Sequence, residues 1–252
     1  WSSLVGSEMC IRDSYITLLD KEQNKNIFIC MFAELSIISN FTFLTGASHP
    51  EEYMMRASLL GLPAIAITDV NSVTGIVRAH SAARDIKRLV KDRESKDLIG
   101  PPRPQNIKKP PSLSLNTIPR LVPGSKLQLI DGFEVTVLPK SRKGWGTLCR
   151  CLSKGRLRNN KGLCDLVISE IIEELDEVVL LIHAPEAPWN PENSKLWLEN
   201  STRLKSKFKQ GVYVVLAPEY DGIDPKRFEH IMKLSQIIRC DLIASAHPIL
   251  SL

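Results

Sequence analysis

No uninterrupted apolar stretch in this chain approaches the ~20 residues that a membrane-spanning helix needs. Nor does any segment run from charged through apolar to small residues in the manner of a secretory leader. The six cysteines (Cys10, Cys30, Cys149, Cys151, Cys164 and Cys240) follow no regular framework, and Cys149 and Cys151 lack a second pair at zinc-finger spacing. A disulfide scaffold and a zinc finger are thereby set aside, and the thiols predict small buried residues in a reducing, cytoplasmic protein without a membrane partner. Strong charge is also missing. A net charge of +5 suits a phosphate-bearing partner but is equally common in proteins that never touch nucleic acid. What remains is ordinary globular composition, 43% hydrophobic and 24% charged over 252 residues, enough for a sizeable α/β core.

From Phe32 onward, short apolar runs alternate with stretches of helical periodicity, which predicts βα units and a largely parallel sheet or barrel. Residues 32–38 and 64–70 read as strands. Between them Ser48, His49 and Pro50, with Glu51 and Glu52, start a helix that Gly61 stops. Ile76, Ala79, Ala83, Ile86 and Val90 form the stripe of a second helix. Over residues 91–120 the pattern dissolves into Pro101, Pro102 and Pro104, then Lys108, Lys109, Pro110 and Pro111, a composition that predicts a flexible insertion. Order resumes with a hairpin, 126–130 and 133–138, turning through Asp131 and Gly132. Strands at 177–184, 212–217 and 241–246 follow, separated by helices over 194–209 and from Pro225 with Phe228, Ile231, Leu234 and Ile238 on one face. Six or seven such strands suit a barrel better than a sandwich.

The segments Glu34–Glu52 and Leu59–Ser72, with Arg78–Ala83 and Gly144–Leu152, occur in an order that resembles the polymerase-and-histidinol-phosphatase (PHP) domain opening bacterial error-prone C-family DNA polymerases, closest to the alphaproteobacterial branch. The resemblance covers residues 31–249. It implies a distorted seven-stranded (β/α) barrel and, in the parent protein, a DNA-directed nucleotidyltransferase of translesion synthesis and damage-induced mutagenesis. It also implies magnesium for that parent polymerase, with DNA, a sliding clamp and a mutagenesis accessory protein as partners. The polymerase domain itself is expected downstream of this stretch. Residues Leu4–Ser14 instead resemble a translated transposase adapter from sequencing libraries, so native sequence is expected to begin at Met31, with 15–30 as read-through and Leu250–Leu252 as a second adapter trace.

Metal-binding members of this family gather histidines, acids and a cysteine at one barrel mouth, where metals activate water for phosphoester hydrolysis. By the same resemblance, the ligand positions here hold Ser36, Ile38, Thr45, Asp69, Val70, Lys126, Glu134, His183, His247 and Ile249. Isoleucine, valine and lysine offer a cation no lone pair, and a lysine ammonium repels it. No cofactor is therefore expected in this stretch. Asp69 reads as a strand-end acid capping the next turn through Asn71 and Ser72 in preference to a surviving ligand. His183 and His247 read as hydrogen-bonded mouth residues.

Between Lys140 and Lys161 the cations Arg142, Lys143, Arg150, Lys154, Arg156 and Arg158 surround Trp145 with no acid among them. Such a segment can track phosphates while its indole stacks on a base. It also reads as a solvated helix face with Trp145, Leu148 and Leu152 as core anchors, partly neutralised by the acids of 170–177. Three functions follow from these residues: an inactive PHP domain of an error-prone polymerase, a stand-alone phosphoesterase of the histidinol-phosphatase kind, or a nucleic-acid or protein interaction module. Ser36 and Ile38 in place of a histidine pair weigh against the second.

Overall fold

The structure, a computed structural model, describes residues 16–19, 26–29, 32–97, 118–160, 162–185, 189 and 191–248. Most of the expected insertion, residues 98–117, lies outside them, as do residues 1–15, Met31 and Leu250–Leu252. Strands β1 (Ile16–Leu19) and β2 (Asn26–Ile29) pair antiparallel with each other.

Strands β3 (Glu34–Ile37), β4 (Ala64–Ile67) and β5 (Arg120–Pro123) form a parallel three-stranded sheet. Strands β6 (Ser125–Gln128), β7 (Glu134–Pro139), β8 (Val178–Ile182), β9 (Val212–Leu216) and β10 (Asp241–Ala244) form a second sheet in the order β10-β9-β8-β7-β6. There β6–β7 and β7–β8 are antiparallel, while β8–β9 and β9–β10 are parallel. Helix α1 (Pro50–Leu60) starts where the sequence predicts, with the Glu52 carboxylate accepting from the His49 amide at 2.8 Å, and ends on Gly61 in the left-handed conformation (φ 69°). Helices α2 (Thr74–Asp97), α3 (Arg142–Leu157), α4 (Ile168–Glu174), α5 (Pro191–Phe208) and α6 (Asp224–Ile238) complete the described elements. No described helix is long and apolar enough to cross a membrane.

The two-residue strand period decides which side chains meet. On β4, Ile65 and Ile67 pack outward on Tyr53, Met54 and Ala57 of α1 and Ala79 and Ile86 of α2. On the larger sheet, Val135, Val137, Leu180, Ile182, Val212 and Val214 face outward onto α3 to α6. The alternate residues Ala66, Leu138, Leu181 and Val215, with Leu35, Val122, Val179, Tyr213 and Ile243, form a separate apolar layer between the two sheets.

Three sequence expectations change. Where a seven-stranded barrel was expected, the strand ladders divide into sheets of three and five, and no closed ladder links them among the described residues. The chain passes between sheets at Gly124, where a Cβ would lie 2.6 Å from Leu138 Cδ2 and 2.9 Å from the Val137 carbonyl oxygen. Helix α2 also runs past residue 91 to Asp97, and β5, which begins at Arg120 where the expected insertion ends, is not among the expected strands, because a four-residue strand carries too little pattern to stand out beside prolines. The side chain of Val90 lies outside the described residues. On α6 the buried face includes Arg227, whose guanidinium pairs with Glu219, Asp221 and Asp224, a charge the apolar pattern could not place inside.

The other edge, between β3 and the end of β10, is joined by side chains. Buried Glu34 accepts hydrogen bonds from the Ser36 amide (2.9 Å), Ser245 Oγ (2.6 Å) and the Ala246 amide (2.7 Å). Burial pushes its carboxyl above the ordinary range despite these donors. Tyr53 adds hydroxyl contacts to the carbonyls of Ile38 and Pro248. Glu34→Ala leaves those donors without an acceptor, and hydrogen–deuterium exchange is expected to accelerate at residues 34–38 and 245–248 while β7 to β9 stay protected. Uniform acceleration across both sheets would instead mean that Glu34 supports the whole fold.

Candidate functional site at the mouth between the sheets

Along the inward faces the residue character changes from apolar to polar. On β7 the inward series runs Leu138, Thr136, Glu134, and on β8 it runs from Val179 and Leu181 to His183, just beyond the strand. Lys126 sits inward on β6 because its neighbour Leu127 packs outward in the core. This alternation brings Lys126, Glu134, Thr136 and His183 to one end of the sheet.

Lys126 Nζ lies 2.7 Å from Glu134 Oε2, with the lysine side chain 8% and the glutamate 25% exposed. His183 Nε2 shares a hydrogen bond of 2.8 Å with Thr136 Oγ1, and its carbonyl accepts from Trp197 Nε1. His247, in the left-handed region at φ 46°, places its ring 5.5 Å from that of His183. Its Nε2 is buried without a hydrogen-bond partner among the described residues. Burial, then the Lys126 ammonium, lower both imidazoles, His183 well below the ordinary 6.5 and His247 to about 4. Both rings are neutral near pH 7. A cleft of about 270 Å³ opens beside them, bordered by Asp131, Phe133, Glu134, His183 and Trp197.

Asp69 sits at the end of β4 and is 1% exposed. Its carboxylate does not cap the following turn. It accepts from the Ser39 amide (2.8 Å), Ser39 Oγ (2.8 Å) and Thr42 Oγ1 (3.0 Å), tying the loop after β3 to β4, while its backbone carbonyl accepts from Lys126 N and Ser125 Oγ. Gly75 leaves room for this, since a Cβ there would fall 2.3 Å from Asp69 Oδ2. Ser39 and Thr42 lie in a family-like segment but were not singled out, because the spacing that reveals metal ligands says nothing about an acid's internal donors.

The other candidate positions scatter. Ser36 and Ile38 are buried on or beside β3, and Ser36 Oγ has no described partner. Thr45 is exposed in the loop, and Val70 is half-buried, bridging backbone to backbone with Lys126. Ile249 lies outside the described residues. These residues do not fit a metal cluster. Lys126 presents a paired ammonium, the Asp69 carboxylate is engaged by hydroxyl and amide donors of the loop after β3, and Ile38 and Val70 are alkyl. Among the described residues no three of His, Cys, Asp and Glu are grouped to hold an ion. The described cysteines Cys149, Cys151, Cys164 and Cys240 are free, and burial pushes Cys151 up to about 12.

The basic segment forms α3, on the other side of the sheet. Lys143 pairs with Asp176 and Glu177, Arg150 and Lys154 with Glu174, and Arg158 with Glu170. Arg156 donates to the Asn71 carbonyl, and Arg142 is exposed. Trp145 is half-buried against the main core, as its helical spacing with Leu148 and Leu152 suggests.

Two predictions follow from the mouth. A histidine whose folded value lies below its unfolded one stabilises the fold above about pH 6.5 and loses that contribution as pH falls through the folded value. Thermal stability is therefore expected to drop between about pH 6.5 and pH 4, and His247→Gln should flatten that slope in a differential scanning series. Asp69→Ala removes a charged acceptor from three buried donors and should cost on the order of 3 kcal/mol in urea denaturation. A loss below roughly 1 kcal/mol would show that the loop finds other partners.

Residues 34–190 match the family model described as "PHP domain". The error-prone DNA polymerase of Ruegeria pomeroyi is 36% identical over 205 residues, spanning 77% of this chain and 18% of that protein. Error-prone DNA polymerase 1 of Rhizobium meliloti is 32% identical over 216 residues, spanning 85% of this chain and 16% of that protein. The chain thus spans about a sixth of the length of these relatives. Among solved structures, one from Bifidobacterium adolescentis assigned as a metal-dependent phosphoesterase superposes with a TM-score of 0.52 at 10% identity, covering 87% of this chain and 88% of that one, which shows a shared fold. A mixed α/β chain with this motif order, these relatives and this mouth belongs to the PHP-domain family, in the branch represented by the error-prone DNA polymerases.

Proposed function

We propose that this chain is the PHP domain of an error-prone DNA polymerase active in damage-induced mutagenesis and translesion synthesis, where it serves as a structural domain without metal or nuclease activity. The observation that carries this reading is the Lys126–Glu134 ion pair at 2.7 Å, standing inside the mouth where related domains gather cations. An internal ammonium pairs with the glutamate and the imidazoles beside it are neutral, so this pair leaves no unmatched charge of its own for a divalent ion to balance. The two sheets then read as halves of a distorted PHP-type barrel, filled by the apolar layer between them and closed at one edge by Glu34.

In this reading nucleotide addition, its magnesium, the DNA substrate, the sliding clamp and the mutagenesis accessory protein belong to the parent polymerase. Similarity to the Ruegeria and Rhizobium enzymes supports that assignment. A cytoplasmic location accords with the free thiols of the described cysteines, Cys151 and Cys240 buried and Cys149 and Cys164 half-buried.

Metal analysis of the purified chain, with hydrolysis of p-nitrophenyl phosphate measured in added manganese or zinc, tests the inactive mouth. Substoichiometric metal and no turnover are expected, unchanged in Glu134→Ala, His183→Ala and His247→Ala. Stoichiometric metal lost in those variants, or hydrolysis above the free-ion rate, would turn the assignment to a phosphoesterase. Reading the source gene beyond residue 252 tests the parent enzyme, since an open frame entering a polymerase domain is expected there.

A further inference from the structure

Helix α3 and its C-cap residue Arg158, still in right-handed helical conformation, place Lys143, Arg150, Lys154 and Arg158 at intervals of seven, four and four residues, so the four cations share one face. At 1.5 Å per residue the stripe is roughly 22 Å long. The acids after it lie along the same stripe in reverse order. Glu170 meets Arg158, Glu174 meets both Lys154 and Arg150 (3.8 Å to the latter), and Asp176 meets Lys143 at 2.5 Å. Every cation of the stripe thus has an anionic partner from residues 170–176.

The helix that carries two of these carboxylates is anchored to the core. Ile168, Ile171 and Leu175 are buried and fix α4 to the core, and Glu170 also accepts from the Val167 amide at the start of that helix. Trp145, the one aromatic ring among the cations, is packed against the core, which removes it as a platform for base stacking. Phosphate attraction is then the remaining binding force of this face, and it is already satisfied from within.

We propose that α3 carries a phosphate-binding stripe for single-stranded nucleic acid that the 170–176 segment occupies as an internal stand-in for backbone phosphates, holding this face closed to DNA. The proposal does not depend on the polymerase reading. It predicts a surface that gains affinity when carboxylates are neutralised, with no change to any cation.

Fluorescence anisotropy with labelled oligothymidylate, over a series of salt concentrations, provides the test. The native chain is expected to show no saturable binding at physiological salt. The triple variant Glu170→Gln/Glu174→Gln/Asp176→Asn should bind at least roughly tenfold more tightly at low salt, with a slope of log K against log salt on the order of −2 for Arg150, Lys154 and Arg158, Lys143 keeping Glu177. Adding Arg150→Gln and Lys154→Gln should return it to the native level. Glu174→Gln alone, which frees Arg150 and Lys154 together, should shift the same way by less and guards against misfolding of the triple variant. Folded variants that bind no better than the native chain, or a native chain that already binds as tightly, would overturn the proposal.

Discussion

Successive side chains of a strand point to opposite faces, and both the core and the mouth of this domain depend on that period. Outward residues such as Ile65, Val137, Leu180 and Val214 bind the helices, and their neighbours Ala66, Leu138, Leu181 and Val215 fill the space between the sheets. The same inward faces turn polar toward one end, at Thr136, Glu134, Lys126 and His183. A one-residue slip of β7 would send Glu134 and Thr136 into the helix-packed core, so the register that builds the core also builds the site.

Two buried carboxylates do what the strand ladders leave undone. Asp69 binds the loop after β3 to the end of β4, and Glu34 binds β3 to the segment after β10. Each is surrounded by hydroxyl and amide donors in place of a cation, the arrangement under which a buried acid is tolerated. At the mouth the solution differs. Lys126 and Glu134 compensate each other, and burial, with the positive end of that pair adding to it, keeps the nearby imidazoles neutral. Compensation by paired side chains also governs the outer surface, where the cations of α3 meet the acids of 170–177.

An ion pair holds a mouth of this kind together differently from a metal. A divalent ion orders several ligands around one centre, whereas an ammonium and a carboxylate satisfy each other and leave the remaining polar groups to find local partners. Thr136 partners His183, Ser39 and Thr42 partner Asp69, and the buried Ser36 Oγ and His247 Nε2 have no partner among the described residues.

The helix start at His49 and Pro50, the Gly61 stop and the longer strands could be read from sequence, and the resemblance pointed to Lys126 and Val70 as candidate ligand positions. Each depends on local propensity, periodicity or motif order. Beyond that reach lay the short strand β5, the buried Arg227 with its three acids, the turning of Asp69 toward Ser39, and the division of the strands into two sheets. Those features join residues distant in the chain, or depend on whether a charge finds its partner once buried. Composition and period determined that this chain builds an α/β fold, and the order of its motifs that it resembles a PHP domain; only tertiary structure decided which charges are matched, because pairing depends on through-space distance and desolvation that no linear spacing encodes.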